Sequence, residues 1–265
     1  MRQLEGKTAF VIGGTAGIGL AVARAYVEEG ATVIIGGRRR DGDGIAREAG
    51  CRFVALDIAR EQDVRAALPA ARDVAGPLDV LVLNAGIAQP VTSIQAIESE
   101  AAARIIGVDL LGVIWGLKHA PAHLADGGSV ILTSSVAAQL GTATEAIYGA
   151  AKAGVSSLVR SGAIEFGPRG IRVNAVQPGP IATELNQMPE ELFTLLTPLG
   201  RKGKVHDLTG VYVFLASDAS RYLTGQVITV DGGLSAGITP GVLRAVLSRA
   251  RRDAEARRVN AGASS

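Results

Sequence analysis

The stretch T-A-F-V-I-G-G-T-A-G-I-G, residues 8–19, determines how the rest of this chain is interpreted. Its first part, Thr8 to Ile12, is a short apolar run of the kind that forms a strand covered on both faces. Glycines follow at positions 13, 14, 17 and 19, and apolar residues then recur at helical spacing. This order favours a dinucleotide site, because N–H groups at a helix N-terminus attract a pyrophosphate and glycine admits it closely. A glycine-rich turn without a ligand is the alternative.

Strands and helices alternate along the rest of the chain. Short apolar segments predict further strands at residues 32–36, 52–56, 79–83, 129–133, 171–176 and 226–230. Helical spacing predicts helices at residues 41–49, 61–74, 97–124 and 205–216, and one around Tyr148. The alternation implies an α/β fold, a single-domain Rossmann-type doubly wound parallel sheet flanked by helices. We expect one domain over residues 1–235 and a basic helical extension with a frayed end over residues 236–265.

Composition and charge narrow the class of protein. The chain has 265 residues, of which 48% are hydrophobic, enough for a substantial core. A net charge of only +2 gives no general case for nucleic-acid binding. The single cysteine, Cys51, cannot form an intramolecular disulfide, and no apolar run approaches the ~18 residues that span a bilayer. We therefore expect a cytoplasmic protein that binds neither nucleic acid nor membrane.

A second short motif carries acid–base chemistry. Tyr148 and Lys152 are four residues apart, so on a helix they share one face. An ammonium beside a phenol favours the phenolate and lowers the tyrosine pKa from its reference near ~10 toward working pH. General acid–base catalysis requires such a group. A solvated helix face with no chemical role is the alternative for this pair taken alone.

Five motifs in one order resemble the short-chain dehydrogenase/reductase family, and the resemblance covers about residues 5 to 235. They are Gly13-x3-Gly17-Ile18-Gly19, Asn84-Ala85-Gly86, Ser135, Tyr148-x3-Lys152 and Pro178-Gly179. The resemblance implies an NAD(P)-binding domain and an oxidoreductase that moves a hydride between a nicotinamide and a carbonyl or alcohol. Tyr148 would be the general acid or base, and Ser135 would bind the substrate oxygen. Lys152 would act on Tyr148 and bind the nicotinamide ribose.

Cofactor contacts are also implied by the resemblance. Asp57 matches the acid that contacts adenine, although an N-cap of the following helix is an equally physical role. Residues 178–183 resemble the loop that touches the nicotinamide carboxamide. The implied set is Gly13, Thr15, Ala16, Gly17, Ile18, Gly19, Gly37, Arg38, Arg39, Asp57, Ile58, Asn84, Ala85, Gly86, Tyr148, Lys152, Pro178, Gly179, Ile181 and Thr183.

The end of the second predicted strand bears on the choice of cofactor. Relatives that use NAD commonly place an acid there, which binds the ribose 2′-hydroxyl and repels a 2′-phosphate. Here the position is Gly37, followed by arginines at 38, 39 and 40. Since a guanidinium can bind a phosphate with paired hydrogen bonds, NADP(H) is favoured, with Arg38 the leading contact and Arg39 the second. NAD(H) is the alternative, because Ala16 lacks the positive charge that many NADP-dependent relatives carry there.

Two positions depart from the family's pattern. Asp109 stands where the family usually has an asparagine, at a helix kink that holds a water between the lysine and solvent. Asp109 is therefore assigned to a proton relay, but its carboxylate would also hold the Lys152 ammonium and weaken its effect on Tyr148. At the other position, Ile12 replaces the threonine that usually precedes the first glycine.

Residues 186–197 lie where the family has its mobile substrate cover. Four apolar residues there would line a pocket or pack onto the body of the protein: Met188, Leu192, Phe193 and Leu196. His119 and His123 are four apart, but with Pro121 between them and no third ligand nearby we expect no metal site. Trp115 is interpreted as a core or interface residue.

The sequence allows more than one function and more than one oligomeric state. The resemblance implies a homo-oligomer, a homotetramer or dimer. A catalytically weak or inactive nucleotide-binding protein that sequesters ligands is the alternative function. The predicted C-terminal helix carries six arginines, which suit a solvated face, a subunit interface or, more remotely, nucleic acid. The sequence does not specify the substrate.

Overall fold

The computed structural model describes residues 2–184, 186 and 189–262, with side chains through residue 254. Seven strands form one parallel sheet in the order β3-β2-β1-β4-β5-β6-β7. They are β1 (Thr8–Ile12), β2 (Thr32–Gly37), β3 (Arg52–Ala55), β4 (Leu78–Leu83), β5 (Leu124–Thr133), β6 (Arg172–Pro178) and β7 (Val227–Val230). The predicted doubly wound parallel sheet is confirmed.

Helices connect the strands. They are α1 (Gly17–Glu28), α2 (Gly42–Glu48), α3 (Glu61–Ala75), α4 (Ser99–Ile106), α5 (Gly112–His119), α6 (Ala146–Phe166), α7 (Glu190–Leu196), α8 (His206–Ala216) and α9 (Pro240–Gly262). Short 3₁₀ turns supplement them, and a π-helical segment, Gly107–Leu111, joins α4 to α5.

Both faces of the sheet are buried. Phe10 and Ile12 of β1 point into the core on one face, where Val155 of α6 also lies. Val11 points into the core on the other face, with Val22 of α1 among its companions. Continuous apolar strands of this kind are stable only between two helical layers.

The strand order reverses between β1 and β4, which creates a crevice at the carboxyl ends of the strands. Ligands of open α/β sheets bind at such a reversal point. The glycine turn leaves β1 there, and Asn84 follows β4 directly. The fold therefore places two of the predicted cofactor motifs side by side.

The prediction of one continuous helix over residues 97–124 is wrong, because the helix is interrupted and ends before residue 124. Its middle is the π-helical segment, and a 3₁₀ turn containing Pro121 follows α5. Leu124 belongs to β5, where it is buried and pairs with Leu78. Proline has no N–H to continue a helix, and burial of Leu124 in the sheet then determines the chain's direction. Strand β5 consequently begins five residues before the predicted start at 129.

The last described helix, α9, leaves apolar side chains exposed. Leu243, Val246 and Leu247 are 52%, 58% and 49% exposed, so this face is largely unpacked within the subunit. Near its start, Thr239 donates a hydrogen bond to the carbonyl of Leu195 in α7. Across the residues described, no helix has the length and apolar character needed to traverse a bilayer.

Candidate active site

The glycine turn is packed so closely that side chains do not fit. A Cβ on Gly19 would lie 2.1 Å from the carbonyl oxygen of Gly13 and 2.6 Å from Nδ2 of Asn84. Gly13 has φ +84°, and a Cβ there would meet the backbone nitrogen of Ala85 at 2.5 Å. The turn thus opens α1 with its backbone exposed, with Ala16 at the N-cap position. This geometry suits a bound pyrophosphate.

Asn84 joins the glycine turn to the centre of the sheet. Its Nδ2 donates to the carbonyl of Gly13 at 3.1 Å, and its Oδ1 accepts from the Thr133 hydroxyl at 3.1 Å. The Thr133 hydroxyl also lies 2.7 Å from the hydroxyl of Tyr212, a buried residue of α8. The network fixes the turn relative to β5, the strand that leads into the serine positions.

Tyr148 and Lys152 lie on one face of α6, as predicted. The Lys152 ammonium lies 5.6 Å from the centre of the Tyr148 ring. It donates to the backbone carbonyl of Thr133 at 3.2 Å. Lys152 is only 3% exposed, whereas Tyr148 is half-buried and remains accessible. A buried cation beside an accessible phenol is the arrangement that proton transfer requires.

Asp109 forms a buried ion pair with Lys152. Its Oδ1 lies 3.0 Å from Lys152 Nζ, and its Oδ2 accepts from the backbone N–H of Ile87 at 3.1 Å. Asp109 lies in the π-helical segment, at the predicted helix irregularity. Burial raises the pKa of Asp109, and the Lys152 ammonium lowers it by less. Burial would lower the pKa of Lys152, but Asp109 and Tyr148 together outweigh this and raise it, so the lysine keeps its proton at neutral pH.

The two neighbouring serines have different surroundings. Ser134 is 2% exposed; its hydroxyl donates to the carbonyl of Lys152 at 3.1 Å and lies 2.8 Å from the hydroxyl of Ser156. Ser135 is half-buried, and its hydroxyl oxygen accepts only a local bond, from the N–H of Ala137 at 3.2 Å. The hydroxyl proton of Ser135 therefore remains available to a substrate, whereas Ser134 holds β5 against α6.

The end of β2 provides the other half of the cofactor crevice. A Cβ on Gly37 would lie 3.0 Å from the hydroxyl of Thr15, so the glycine turn and the end of β2 are adjacent. Arg38 is 62% exposed and forms only a 3.8 Å ion pair with Asp57. Arg39 instead forms a two-bond pair with Asp41, at 3.0 and 2.8 Å, which raises the pKa of its guanidinium. Arg38 is thus the more available cation.

Asp57 does not cap the following helix, which corrects one of its two expected roles. Helix α3 begins at Glu61 with Arg60 at the N-cap position. The Asp57 carboxylate accepts instead from the N–H of Ala59 at 3.1 Å, within the turn that follows β3. Ile58 between them is buried and packs close to Gly112 at the start of α5.

The loop after β6 approaches the glycine turn. Pro178 ends β6, and the N–H of Gly179 bonds the carbonyl of Val230 at 2.9 Å. Ile181 is buried and bridges to Gly203. A Cβ on Gly17 would lie 3.5 Å from Thr183, so this loop is adjacent to the glycine turn.

The other residues singled out in the sequence have the following surroundings. His119 contacts the carboxylate of Glu61 at 3.0 Å, and among the described residues no three or more metal-ligating side chains cluster. Trp115 packs partly against the core, with Lys118 5.6 Å from its ring. In the 186–197 segment Phe193 is 3% exposed and packs onto the body, while Leu192 and Leu196 are half-buried. Met188 lies outside the described residues.

Sequence reasoning missed Gln89 and Thr133. The Gln89 side-chain oxygen accepts from the backbone N–H groups of Ile147 and Tyr148, both at 3.0 Å. The signal that could have revealed Gln89 is the N-cap position of α6. The residue there is Glu145 and not a serine, threonine, aspartate or asparagine, the residues that usually cap a helix, so the first N–H groups of α6 need an acceptor from elsewhere. Thr133 acts through its carbonyl and hydroxyl, and an isolated threonine at a strand end carries no specific sequence signal.

Together these elements define a dinucleotide-binding oxidoreductase. The doubly wound sheet reverses its strand order where such folds bind a ligand, Tyr148 and Lys152 lie together on α6, and Ser135 follows β5 with an available hydroxyl proton. A family profile described as enoyl-(acyl carrier protein) reductase matches residues 13–235. The chain belongs to the short-chain dehydrogenase/reductase family.

Known relatives are similar over nearly their whole length. The cis-4-hydroxycyclohexanecarboxylate dehydrogenase of Sinomonas cyclohexanicum is 39% identical over 241 residues, 87% of this chain and 97% of the relative. An L-rhamnose 1-dehydrogenase (NAD(P)(+)) of Azotobacter vinelandii is 39% identical over 247 residues, covering 86% and 96% of the two chains. Among solved structures, a gluconate 5-dehydrogenase from Burkholderia cenocepacia in complex with NADP and tartrate is 33% identical, with a TM-score of 0.85 over 89% of this chain and 98% of that one.

Proposed function

We propose that this protein is an NADP(H)-dependent oxidoreductase that interconverts a small-molecule carbonyl and its alcohol, with Tyr148 as the general acid or base. The observation that carries the proposal is the placement of Tyr148 beside Lys152 on α6, with Lys152 held against the carbonyl of Thr133 and the carboxylate of Asp109. This arrangement lies at the carboxyl ends of the strands, where the fold has its crevice.

The crevice fits a nicotinamide dinucleotide. Gly13 and Gly19 form a cradle that a Cβ would fill, and α1 begins directly behind it. Thr15, Gly37 and Arg38 would hold the adenosine ribose, Asp57 and Ile58 would border the adenine, and Ala85 and Gly86 would border the adenosine side from β4. Ile181 and Thr183 would contact the nicotinamide end. When bound, the nicotinamide supplies or accepts the hydride of the reaction.

The chain's own residues move the proton. In a reduction Tyr148 donates its phenolic proton to the substrate oxygen as negative charge develops there, and in an oxidation it accepts that proton. Ser135 donates a hydrogen bond to the same oxygen and orients it. Lys152 favours the phenolate of Tyr148 through its charge and would also bind the nicotinamide ribose.

Asp109 adds a carboxylate to this proton path. Because its Oδ1 lies 3.0 Å from Lys152 Nζ, it holds the ammonium in place and partly offsets its charge at Tyr148. We infer that Asp109 positions the lysine and links it to the proton path to solvent. The expected result is a weaker positive field at the Tyr148 phenol than an asparagine at position 109 would leave.

Two observations support NADP(H) over NAD(H). No carboxylate lies at the end of β2, where one would repel a 2′-phosphate. Arg38 follows Gly37, which lies next to Thr15, and it is exposed with only a long contact to Asp57. A guanidinium in that position is suited to a phosphate.

The wider assignments extend this proposal. Residues 1–235 would form the catalytic domain and residues 236–265 a basic helical extension. The protein would act in the cytoplasm as a homo-oligomer, a tetramer or dimer. The apolar side chains that α9 leaves exposed are consistent with an interface between subunits.

A cofactor and substrate panel tests the proposal. Turnover would be measured with NADPH and NADH against cyclic ketones, keto acids and ketosteroids, and with NADP⁺ and NAD⁺ against aldoses and cyclic alcohols. We expect turnover of at least one class with a higher kcat/KM for the phosphorylated cofactor. Tight cofactor binding without turnover of any class would support a ligand-sequestering protein instead, and a preference for NADH would reject the cofactor assignment.

A further inference from the structure

The side chain of Gln89, in the segment that follows β4, contacts the start of α6. Its Oε1 accepts from the backbone N–H groups of Ile147 and Tyr148, each at 3.0 Å. Its Nε2 donates to the backbone carbonyl of Thr144 at 2.6 Å. One amide therefore makes three hydrogen bonds to three residues within the five-residue stretch 144–148, which ends at the proposed general acid.

Helix α6 lacks a local cap. Its N-cap residue is Glu145, whose side chain makes no capping bond. The first N–H groups of a helix have no partner within the helix, and a side-chain oxygen normally satisfies them from the N-cap position. Gln89 supplies that oxygen from 59 residues earlier in the chain. The position of Tyr148 therefore depends on a tertiary contact and not on the helix alone.

The residue before the cap is in an unfavourable conformation. Thr144 has φ +71°, and within the described parts of the chain it is the non-glycine residue with a positive φ. A β-branched residue pays a conformational cost in this region, so surrounding contacts must hold it there. The Gln89 bond to the Thr144 carbonyl is such a contact. Gln89 thus fixes both the approach to α6 and its first turn.

The segment that carries Gln89 touches the other parts of the site. Asn84 bonds the carbonyl of Gly13 in the glycine turn. A Cβ on Gly86 would lie 2.7 Å from Asp109 Oδ1, and the N–H of Ile87 bonds the same carboxylate. Within six residues the chain therefore contacts the cofactor turn, the buried ion pair and the catalytic helix.

We propose that Gln89 is a positioning residue that sets the place of Tyr148 relative to the cofactor crevice. By fixing the backbone nitrogen of Tyr148 to the segment that also contacts the glycine turn, Gln89 holds the phenol at the correct distance from the substrate oxygen. Small displacements of a reacting group have large effects on rate. This inference rests on the proposed role of Tyr148 as general acid or base.

Three variants test the proposal. Gln89→Ala removes all three bonds, Gln89→Glu keeps an acceptor for Ile147 and Tyr148 but loses the donor to Thr144, and Gln226→Ala is the matched control. Gln226 donates a 3.3 Å bond to the carbonyl of Thr224, away from the crevice. For each variant one would measure kcat, KM, the cofactor Kd and amide hydrogen exchange at residues 146–150.

We expect Gln89→Ala to lower kcat by about tenfold or more, with the cofactor Kd within about twofold of wild type. Exchange at Ile147 and Tyr148 should become faster in Gln89→Ala and return toward wild type in Gln89→Glu, together with part of the lost kcat. Gln226→Ala should change neither. An unchanged kcat or unchanged exchange in Gln89→Ala, or an equal loss in Gln89→Glu, would overturn the proposal.

Exchange separates this proposal from the proposed function. If turnover of the wild-type enzyme does not depend on the Tyr148 phenol, the proposed function is wrong. The positioning role of Gln89 is then also wrong, even if hydrogen exchange shows that Gln89 caps α6. If turnover depends on Tyr148 but not on Gln89, only the present inference is wrong.

Discussion

Lys152 and Asp109 form an ion pair of 3.0 Å inside the protein, with 4% and 0% of their side chains exposed. The carboxylate faces the same ammonium that lies over the Tyr148 ring, so it reduces the positive field at the phenol. Asp109 and Tyr148 outweigh burial and raise the pKa of Lys152, so the lysine keeps its proton at neutral pH. The protein therefore has a buried charge pair where the family usually has one charge and an amide.

Asp109→Asn should shift the pH dependence of the reaction. Without the carboxylate, the full charge of Lys152 would favour the phenolate. The limb of kcat/KM for alcohol oxidation that rises with pH should therefore move to lower pH, by up to about one unit. The profile would be measured from pH 5 to 10. Asp79→Asn, which removes a carboxylate that bonds the N–H of Thr8, is the control and should leave the apparent pKa unchanged. An apparent pKa that rises or stays constant in Asp109→Asn would contradict the charge argument.

Gly86→Ala should disturb this pair by contact. The new Cβ would lie 2.7 Å from Asp109 Oδ1 and 3.4 Å from Lys152 Nζ, so one of the side chains must move. We expect a loss of about 1–3 kcal/mol in the free energy of unfolding, together with a lower kcat. Gly210→Ala is the matched control, because Gly210 lies in α8 with no atom within 4 Å of its added Cβ. It should gain about 0.5–1 kcal/mol. If chemical denaturation gives the two variants equal free energies of unfolding, the Asp109–Lys152 pair accommodates a side chain at position 86 and the prediction is wrong.

Arg38→Ala should change cofactor preference. Loss of one charged hydrogen-bonding group at a 2′-phosphate should lower kcat/KM for NADPH by about 10- to 100-fold. The value for NADH should change little. Arg39→Ala should have a smaller effect, because that guanidinium is already engaged by Asp41. A larger loss in Arg39→Ala than in Arg38→Ala, measured in the same assay, would reverse the assignment of the phosphate contact.

Ser135→Ala and Ser134→Ala should separate chemistry from stability. Removing the Ser135 hydroxyl should lower kcat/KM by about 100-fold while the melting temperature stays near that of wild type. Removing the buried Ser134 hydroxyl breaks its two hydrogen bonds, to the Lys152 carbonyl and to the Ser156 hydroxyl, so it should cost about 1–3 kcal/mol of stability. Kinetics and thermal unfolding of both variants would check this. If Ser134→Ala is the variant that loses activity at unchanged stability, the two roles are exchanged.

Much of the fold could be predicted from local patterns. Each of the seven strands is an apolar run bounded by turn residues, and the glycine turn identified the first strand–helix unit. The resemblance implied a helix kink at Asp109, but local patterns did not predict its π-helical form or the early start of β5, because both depend on tertiary packing. Asp109 is buried where it pairs with Lys152 and accepts a hydrogen bond from the N–H of Ile87. Leu124 is buried where it pairs with Leu78 of the neighbouring strand.

The sequence predicted those parts of the site in which particular residue types occur at a fixed spacing along the chain. Tyr148 and Lys152 lie on one helix, so their separation of four residues predicts their proximity. Gln89 depends on a contact across 59 residues with backbone N–H groups, and spacing carries no information about such a contact. The sequence already favoured Arg38 over Arg39, but the pairing of Arg39 with Asp41 that supports this choice is a matter of side-chain geometry.

The most direct test of the central claim is kcat for Tyr148→Phe, measured with the best substrate and cofactor from the panel. The substitution removes one hydroxyl and leaves the ring beside Lys152. We predict a fall in kcat of about 100-fold or more, with the cofactor Kd within about twofold of wild type. A Tyr148→Phe variant that keeps wild-type kcat would contradict the proposal that the Tyr148 phenol transfers the proton.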